Sequence, residues 1–167
     1  MMTIIRNDDN LKDNDINEFV RRVKILIVDS QNKMMLGYSY HEYQFIGGHV
    51  EEGEDLPEAV EREIEEETGI KIDAKKERPF ACNISYYKDY PNKGINQKIE
   101  IYYYEIRTDL KPNLKNTNYT IEESEGNFEL RYIPFDKLEE ELENNAREYG
   151  DPNGITKEML GLLKIWR

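Results

Sequence analysis

Residues 48–70, GHVEEGEDLPEAVEREIEEETGI, constrain the fold more than any other stretch of the chain. Asp55 and Glu58, three residues apart, form a capping-box pair, and Pro57 sits in the first turn, where a missing N–H costs nothing. Gly69 can take the left-handed conformation that stops a helix. Between these signals Leu56, Val60 and Ile64 recur every four residues as an apolar stripe. One amphipathic helix, capped by Asp55 and stopped at Gly69, is therefore predicted. Glu63, Glu66 and Glu67 stand at i, i+3 and i+4, so they share one face beside that stripe. Ala59, one turn before Glu63, leaves room there. Like charges at this spacing destabilise a helix, and a cation among them reverses the penalty. An all-oxygen donor set favours Mg²⁺ or Mn²⁺ over Zn²⁺. Glu58, Glu61 and Glu65 read as an ordinary solvated face.

The same residues resemble the Nudix box, G-x5-E-x7-R-E-U-x-E-E-x-G-U with U aliphatic. Gly48, Glu54, Arg62, Glu63, Ile64, Glu66, Glu67, Gly69 and Ile70 fill its nine fixed positions. The resemblance is close over these 23 residues and loose in the flanking chain. It implies an α/β (α+β) fold, an α/β/α sandwich around a mixed β-sheet. It also implies metal-dependent hydrolysis of a nucleoside diphosphate linked to some other group X, without naming X. By the resemblance, Glu63, Glu66 and Glu67 are metal ligands, joined by the carbonyl of Gly47. Most relatives carry proline before the paired glycines, and here that residue is Ile46. Both glycines are retained and can bring backbone close to a ligand.

Charge sharpens the picture. Residues 51–67 hold ten acidic side chains and one arginine, and the whole 167-residue chain carries −12. Such a surface repels nucleic acid and anionic membrane, and repels a phosphorylated substrate too unless metal is bound first. Cys82 is the only cysteine, which excludes an intramolecular disulfide and a cysteine–metal cluster. No signal peptide and no long apolar span is read, so the cytosol is the expected compartment. The length suits one domain over residues 1–167. It leaves the oligomeric state open, a homodimer included.

Read in order, residues 3–6 suggest a short edge strand, 19–28 a central strand, 34–38 its hairpin partner and 43–46 a short strand leading into Gly47. Further strands are expected at 70–72, 80–87, 97–107 and 128–133, and residues 111–125 read as a polar loop. Asp136 and Thr156 are expected to cap two final helices. His41 and His49 read as surface residues rather than catalysts.

The chemistry expected is hydrolysis at a diphosphate. A further carboxylate from outside the box is needed, because Mg²⁺ prefers octahedral oxygen ligation. Glu125 resembles the family's usual supplement, with Glu122 and Glu123 competing. Arg62 is expected to pair with Glu66 or Glu58 and to orient the site. Glu54 is expected as an outer or second-metal carboxylate bordering the substrate with Gly48. Glu63 is favoured over Glu123 as general base. A non-catalytic nucleotide-binding regulatory module on the same fold would require a broken box. A structural protein whose glutamates only solvate a helix would bind metal weakly.

The substrate marks are fewer. The proline about fifteen residues beyond the box that marks ADP-ribose hydrolases is missing, since Pro79 and Pro91 lie nine and twenty-one residues past Ile70. The arginine-bearing coenzyme A signature is missing as well. Dinucleoside polyphosphate hydrolases carry a tyrosine about sixteen to eighteen residues on, and Tyr86 and Tyr87 stand at sixteen and seventeen. On a strand these two point to opposite faces, so one of them is expected to stack a nucleobase. The substrate expected is a nucleotide: a nucleoside triphosphate, an oxidised nucleotide or a dinucleoside polyphosphate.

Overall fold

Alternation of side chains along two long strands divides the core into two layers. In the computed structural model, which describes residues 1–166, β2 (Glu18–Val28) and β6 (Gln97–Arg107) run parallel at the centre of a seven-stranded sheet. Val23, Ile25 and Ile27 of β2, with Tyr104 and Ile106 of β6, turn to one face. There the helix α1 (Leu56–Thr68) lays Ala59, Val60 and Ile64 against them. Leu26, Val28 and Tyr103 turn to the opposite face, against Leu138 and Leu142 of α3 (Phe135–Tyr149) and Met159, Leu162 and Leu163 of α4 (Ile155–Trp166). Each such side chain contributes roughly 1.5–3 kcal/mol on burial. The result is the expected α/β/α sandwich around a mixed sheet.

The edges explain where a cleft can open. One side of the sheet runs β6, then β5 (Ala81–Tyr87), then the edge strand β1 (Met2–Arg6). On the other side β3 (Lys33–Ser39) pairs with β2 only through Ile27↔Met35 and Val28↔Met34. It then parts from β2 and pairs with β4 (Glu42–Gln44), while β7 (Glu129–Pro134) lies along its far edge. The chain after β4 crosses back to β2 through the bridges Ile25↔Ile46 and Arg22↔His49. This crossing carries Gly47 and Gly48 over the sheet to the face of α1.

Helix α1 forms as its signals predict. Asp55 accepts from the Glu58 N–H at 2.9 Å, Glu58 accepts from the Asp55 N–H at 2.9 Å, and Gly69 ends the helix at φ 70°. The other expected caps are displaced. Asp136 lies inside the first turn of α3, whose N-cap is Pro134. Thr156 lies inside α4, and Asp151 does the capping by accepting from Thr156 N and Lys157 N, each at 3.0 Å. The strand expected at 70–72 does not form. Ile70 is drawn into the core beneath α1, and residues 70–79 cross the molecule as irregular chain. A short helix, α2 (Ile121–Glu125), occurs where a loop was expected, with Thr120 and Glu123 forming a reciprocal capping box. Among the described residues no helix is long and apolar enough to cross a membrane.

Candidate active site

Arg62 is the one cation in the acidic stretch, and all five of its N–H donors are used. Nε and Nη2 grip the two oxygens of Glu54 at 2.8 and 3.0 Å, Nη1 reaches Glu63 at 2.8 Å and Glu66 at 3.0 Å, and Nη2 also donates to the His49 carbonyl at 2.7 Å. The pairing expected with Glu66 is present. Glu58 is instead committed to the cap, and Glu54 and Glu63 take its place. The Glu54 hydrogen bond, followed by the charges of Glu63 and Glu54, raises the Arg62 pKa against the cost of burial. Burial pushes the Glu54 carboxyl up, but its bonds to Arg62 and the Glu51 N–H outweigh that and hold it below the usual range.

Glu63 and Glu67 lie deeper. Burial raises the Glu63 pKa, and Arg62 offsets only part of the rise. Glu67 is 2% exposed, and burial followed by the charges of Glu63 and Glu123 holds its pKa well above the ordinary value, with Lys24 opposing. Gly47 donates its N–H to Glu67 Oε1 at 3.3 Å, while Glu67 Oε2 is buried with no partner. The paired glycines are what let the carboxylates in. Gly47 stands at φ 132°, where a Cβ would sit 2.2 Å from the Val23 carbonyl oxygen, and a Cβ on Gly48 would sit 2.5 Å from Glu63 Oε1.

These groups line a cleft of about 890 Å³ together with Arg22, Lys24, His49, Glu122 and Glu123. It is also lined by Glu42, Gln44, Phe45, Ile101, Asn153, Ile155 and Met159. Of the residues expected from sequence, the cleft thus gathers Gly47, Gly48, Arg62, Glu63, Glu66, Glu67 and Glu123. Glu54 stands behind Arg62. Glu125 is exposed outside the lining, because residues 121–125 turn as a helix that shows Glu122 and Glu123 to the cleft. Tyr86 and Tyr87 do not line it either. They pair with Lys98 and Gln97, at the start of β6, whereas the cleft meets β6 at Ile101. The Tyr86 hydroxyl donates to Asp13 at 2.9 Å, and Tyr87 is exposed beside Tyr90.

Two cations were not singled out from sequence. Arg22 and Lys24 share a face of β2 with Leu26 and Val28, so an apolar stripe turns cationic halfway along a central strand. That change within RRVKILIV is the signal that could have revealed them. Lys24 Nζ donates to the carbonyls of Gly47 at 3.2 Å and Phe45 at 3.4 Å. Arg22 Nη2 lies 3.0 Å from His49 Nε2. A guanidinium only donates, so this imidazole nitrogen accepts and His49 is neutral. Burial, then the charges of Arg22 and Lys24, lower the His49 pKa in agreement with that. Arg22 Nε is buried with no partner.

Among the described residues no three carboxylate, imidazole or thiol groups converge tightly enough to enclose an ion by themselves. Glu63 and Glu66 are engaged by the Arg62 guanidinium, whereas Glu67 is not. The donors nonetheless suit a hard divalent cation: they are all oxygens, and the orphaned Glu67 Oε2 lacks only a positive partner.

The fold has solved counterparts. The MutT protein of Bacillus halodurans superposes with a TM-score of 0.54 at 23% identity, covering 72% of each chain. A protein of Deinococcus radiodurans superposes with a TM-score of 0.50 at 22% identity, covering 92% of this chain and 86% of that one. No curated protein matches the chain. The NUDIX domain profile matches residues 18–151, which span the box, the paired glycines and most of the cleft lining. With the box intact and its residues gathered at that cleft, the chain belongs to the NUDIX domain family and is a Nudix hydrolase acting on phosphoric anhydride bonds.

Proposed function

We propose that this protein hydrolyses a phosphoric anhydride bond of a nucleotide with the help of Mg²⁺ or Mn²⁺. The observation that carries the proposal is the buried Glu67 carboxylate, whose Oε2 has no partner, in a cleft that also holds Arg22 and Lys24. Carboxylates suit a metal ion and the two cations suit phosphate oxygens, so the two walls match a metal-complexed polyphosphate.

Glu63, Glu66 and Glu67 would hold the ion, with the Gly47 carbonyl beside them. A divalent ion bound there supplies charge neutralisation and Lewis acidity to the phosphate oxygens. The protein's own groups do the rest. Arg22 and Lys24 orient the phosphates, and Arg62 keeps Glu63 and Glu66 in place through its hydrogen bonds without touching substrate. Water adds to one phosphorus, the bridging P–O bond breaks, and a carboxylate accepts the proton. Glu63, with its raised pKa, is our first choice for that carboxylate, and Glu123 across the cleft is the second. Glu122 or Glu123, rather than Glu125, would supply the carboxylate from outside the box.

The test is a panel of nucleoside triphosphates, oxidised nucleotides, nucleotide sugars, ADP-ribose and dinucleoside polyphosphates, assayed with Mg²⁺. At least one nucleotide should be hydrolysed with kcat/KM of about 10⁴ M⁻¹s⁻¹ or more. Hydrolysis of none contradicts the proposal. Arg22→Ala should raise KM for the best substrate by about tenfold or more with a smaller change in kcat, since it removes a charged hydrogen bond to bound phosphate. An unchanged KM would exclude Arg22 from the phosphate site.

A further inference from the structure

We infer that Glu42 selects the base of the substrate by accepting a hydrogen bond from an exocyclic amino group, an inference that rests on the nucleotide reading above. Three buried polar atoms without partners belong to side chains lining the cleft: Glu67 Oε2, Arg22 Nε and Glu42 Oε1. The first faces the place of a cation and the second the place of an anion. The third is an acceptor, and an ionised carboxylate can only accept. What satisfies it is a hydrogen-bond donor, which the exocyclic amino group of a base can supply.

The position of Glu42 fits a base rather than a phosphate. Glu42 and Gln44 are two apart on β4 and both line the cleft, while Tyr43 between them packs into the core. Glu42 is also held in place. Its Oε2 accepts from Asn153 Nδ2 at 3.1 Å, which leaves Oε1 as the buried, unpaired oxygen. Ile101, half-buried, gives the cleft an apolar side chain against which a planar ring can lie, backed by the buried Phe45 and Met159.

Spacing bounds the distance between the subsites. Gly47, bonded to Glu67, is five residues from Glu42, at most about 17 Å of extended chain. Lys24 lies between, bonded to the carbonyls of Phe45 and Gly47. The cleft thus holds buried carboxylates, two cations, apolar side chains and an unpaired acceptor. A nucleoside polyphosphate presents the complementary set: complexed metal, phosphates, base plane and base edge. The structure thus assigns Glu42 as a specificity residue, with Asn153 positioning it.

The experiment compares two pairs of triphosphates that each differ by one amino group, GTP against ITP and ATP against purine riboside triphosphate. Binding and kcat/KM are measured with Mg²⁺ for the wild type, Glu42→Ala and Asn153→Ala. The wild type should favour the amino member of at least one pair by about tenfold or more. Glu42→Ala should bring that ratio to within about twofold of one, and Asn153→Ala, whose residue lies on an exposed turn, should lower it partway. Wild-type ratios near one in both pairs, or a preference that survives Glu42→Ala, overturn the assignment. A preference seen in binding with no turnover supports the base contact and rejects the hydrolytic reading. Absence of nucleotide binding overturns both.

Discussion

Glu67→Gln should lower kcat on the best nucleotide substrate at least about 100-fold while leaving the protein folded. The substitution keeps the volume of the side chain and removes the charge of the most deeply buried carboxylate in the cleft. Its effect on stability has a definite sign. The Glu67 pKa is raised in the folded protein above its ordinary value of 4.5. An acid so shifted binds more protons folded than unfolded at intermediate pH, so metal-free stability falls as pH rises above about 4.5. That penalty is complete once pH exceeds the folded pKa, and it is absent below the unfolded one. Glutamine removes it. Without divalent cation, Glu67→Gln should therefore unfold at the same temperature as the wild type near pH 4 and at a higher one near pH 8. Adding Mg²⁺ or Mn²⁺ should stabilise the wild type more than the variant, because the ion binds the folded state. Normal turnover at saturating metal would remove Glu67 from the ligand set. Unfolding of the variant would make the carboxylate structural.

Arg62→Ala should have the largest effect on stability. The guanidinium is the single positive charge that Glu54, Glu63 and Glu66 share, and it ties them to the His49 carbonyl. Removing one partner of a buried ion pair costs about 3–5 kcal/mol. The Arg62 side chain is 22% exposed, so solvent screens part of the unpaired charge, and about 2 kcal/mol is a fair expectation. For a chain of this size that lowers the unfolding midpoint by about 4–8 °C. Arg62→Lys restores the charge but not the five-fold hydrogen bonding, so it should recover part of the loss. Mg²⁺ should recover part of it in Arg62→Ala, since a bound ion takes over neutralisation of the same carboxylates. Thermal melts with and without Mg²⁺ measure both effects, and an unchanged midpoint for Arg62→Ala in metal-free buffer would show that the network adds nothing to stability.

How much of this was legible in the chain depends on whether the signal is local. Helix α1 was legible from end to end, because Asp55, Glu58, Pro57 and Gly69 act within one turn of themselves. Strand β6 was legible because Ile99, Ile101 and Tyr103 alternate with Lys98, Glu100 and Tyr102. The short helix α2 carried a local signal too, the capping box of Thr120 and Glu123, but polar composition on either side concealed it. What depends on pairing across the sheet was not legible. The spacing of Tyr86 and Tyr87 from the box says nothing about register, and register sets them against Lys98 and Gln97, away from the cleft. The same register sets Arg22 opposite Ile101 and brings both into it. Glu42 and Asn153 are 111 residues apart and meet because β4 packs beside the start of α4, which no window of sequence reveals.

The most direct test of the central claim, that the carboxylates of α1 work through a divalent cation, is turnover of the preferred nucleotide in metal-free buffer titrated with Mg²⁺ and Mn²⁺. The account predicts no turnover in excess chelator, full recovery on adding back either ion, and little recovery with either ion in Glu67→Gln. Full activity in excess chelator, or equal recovery in the wild type and Glu67→Gln, would contradict it.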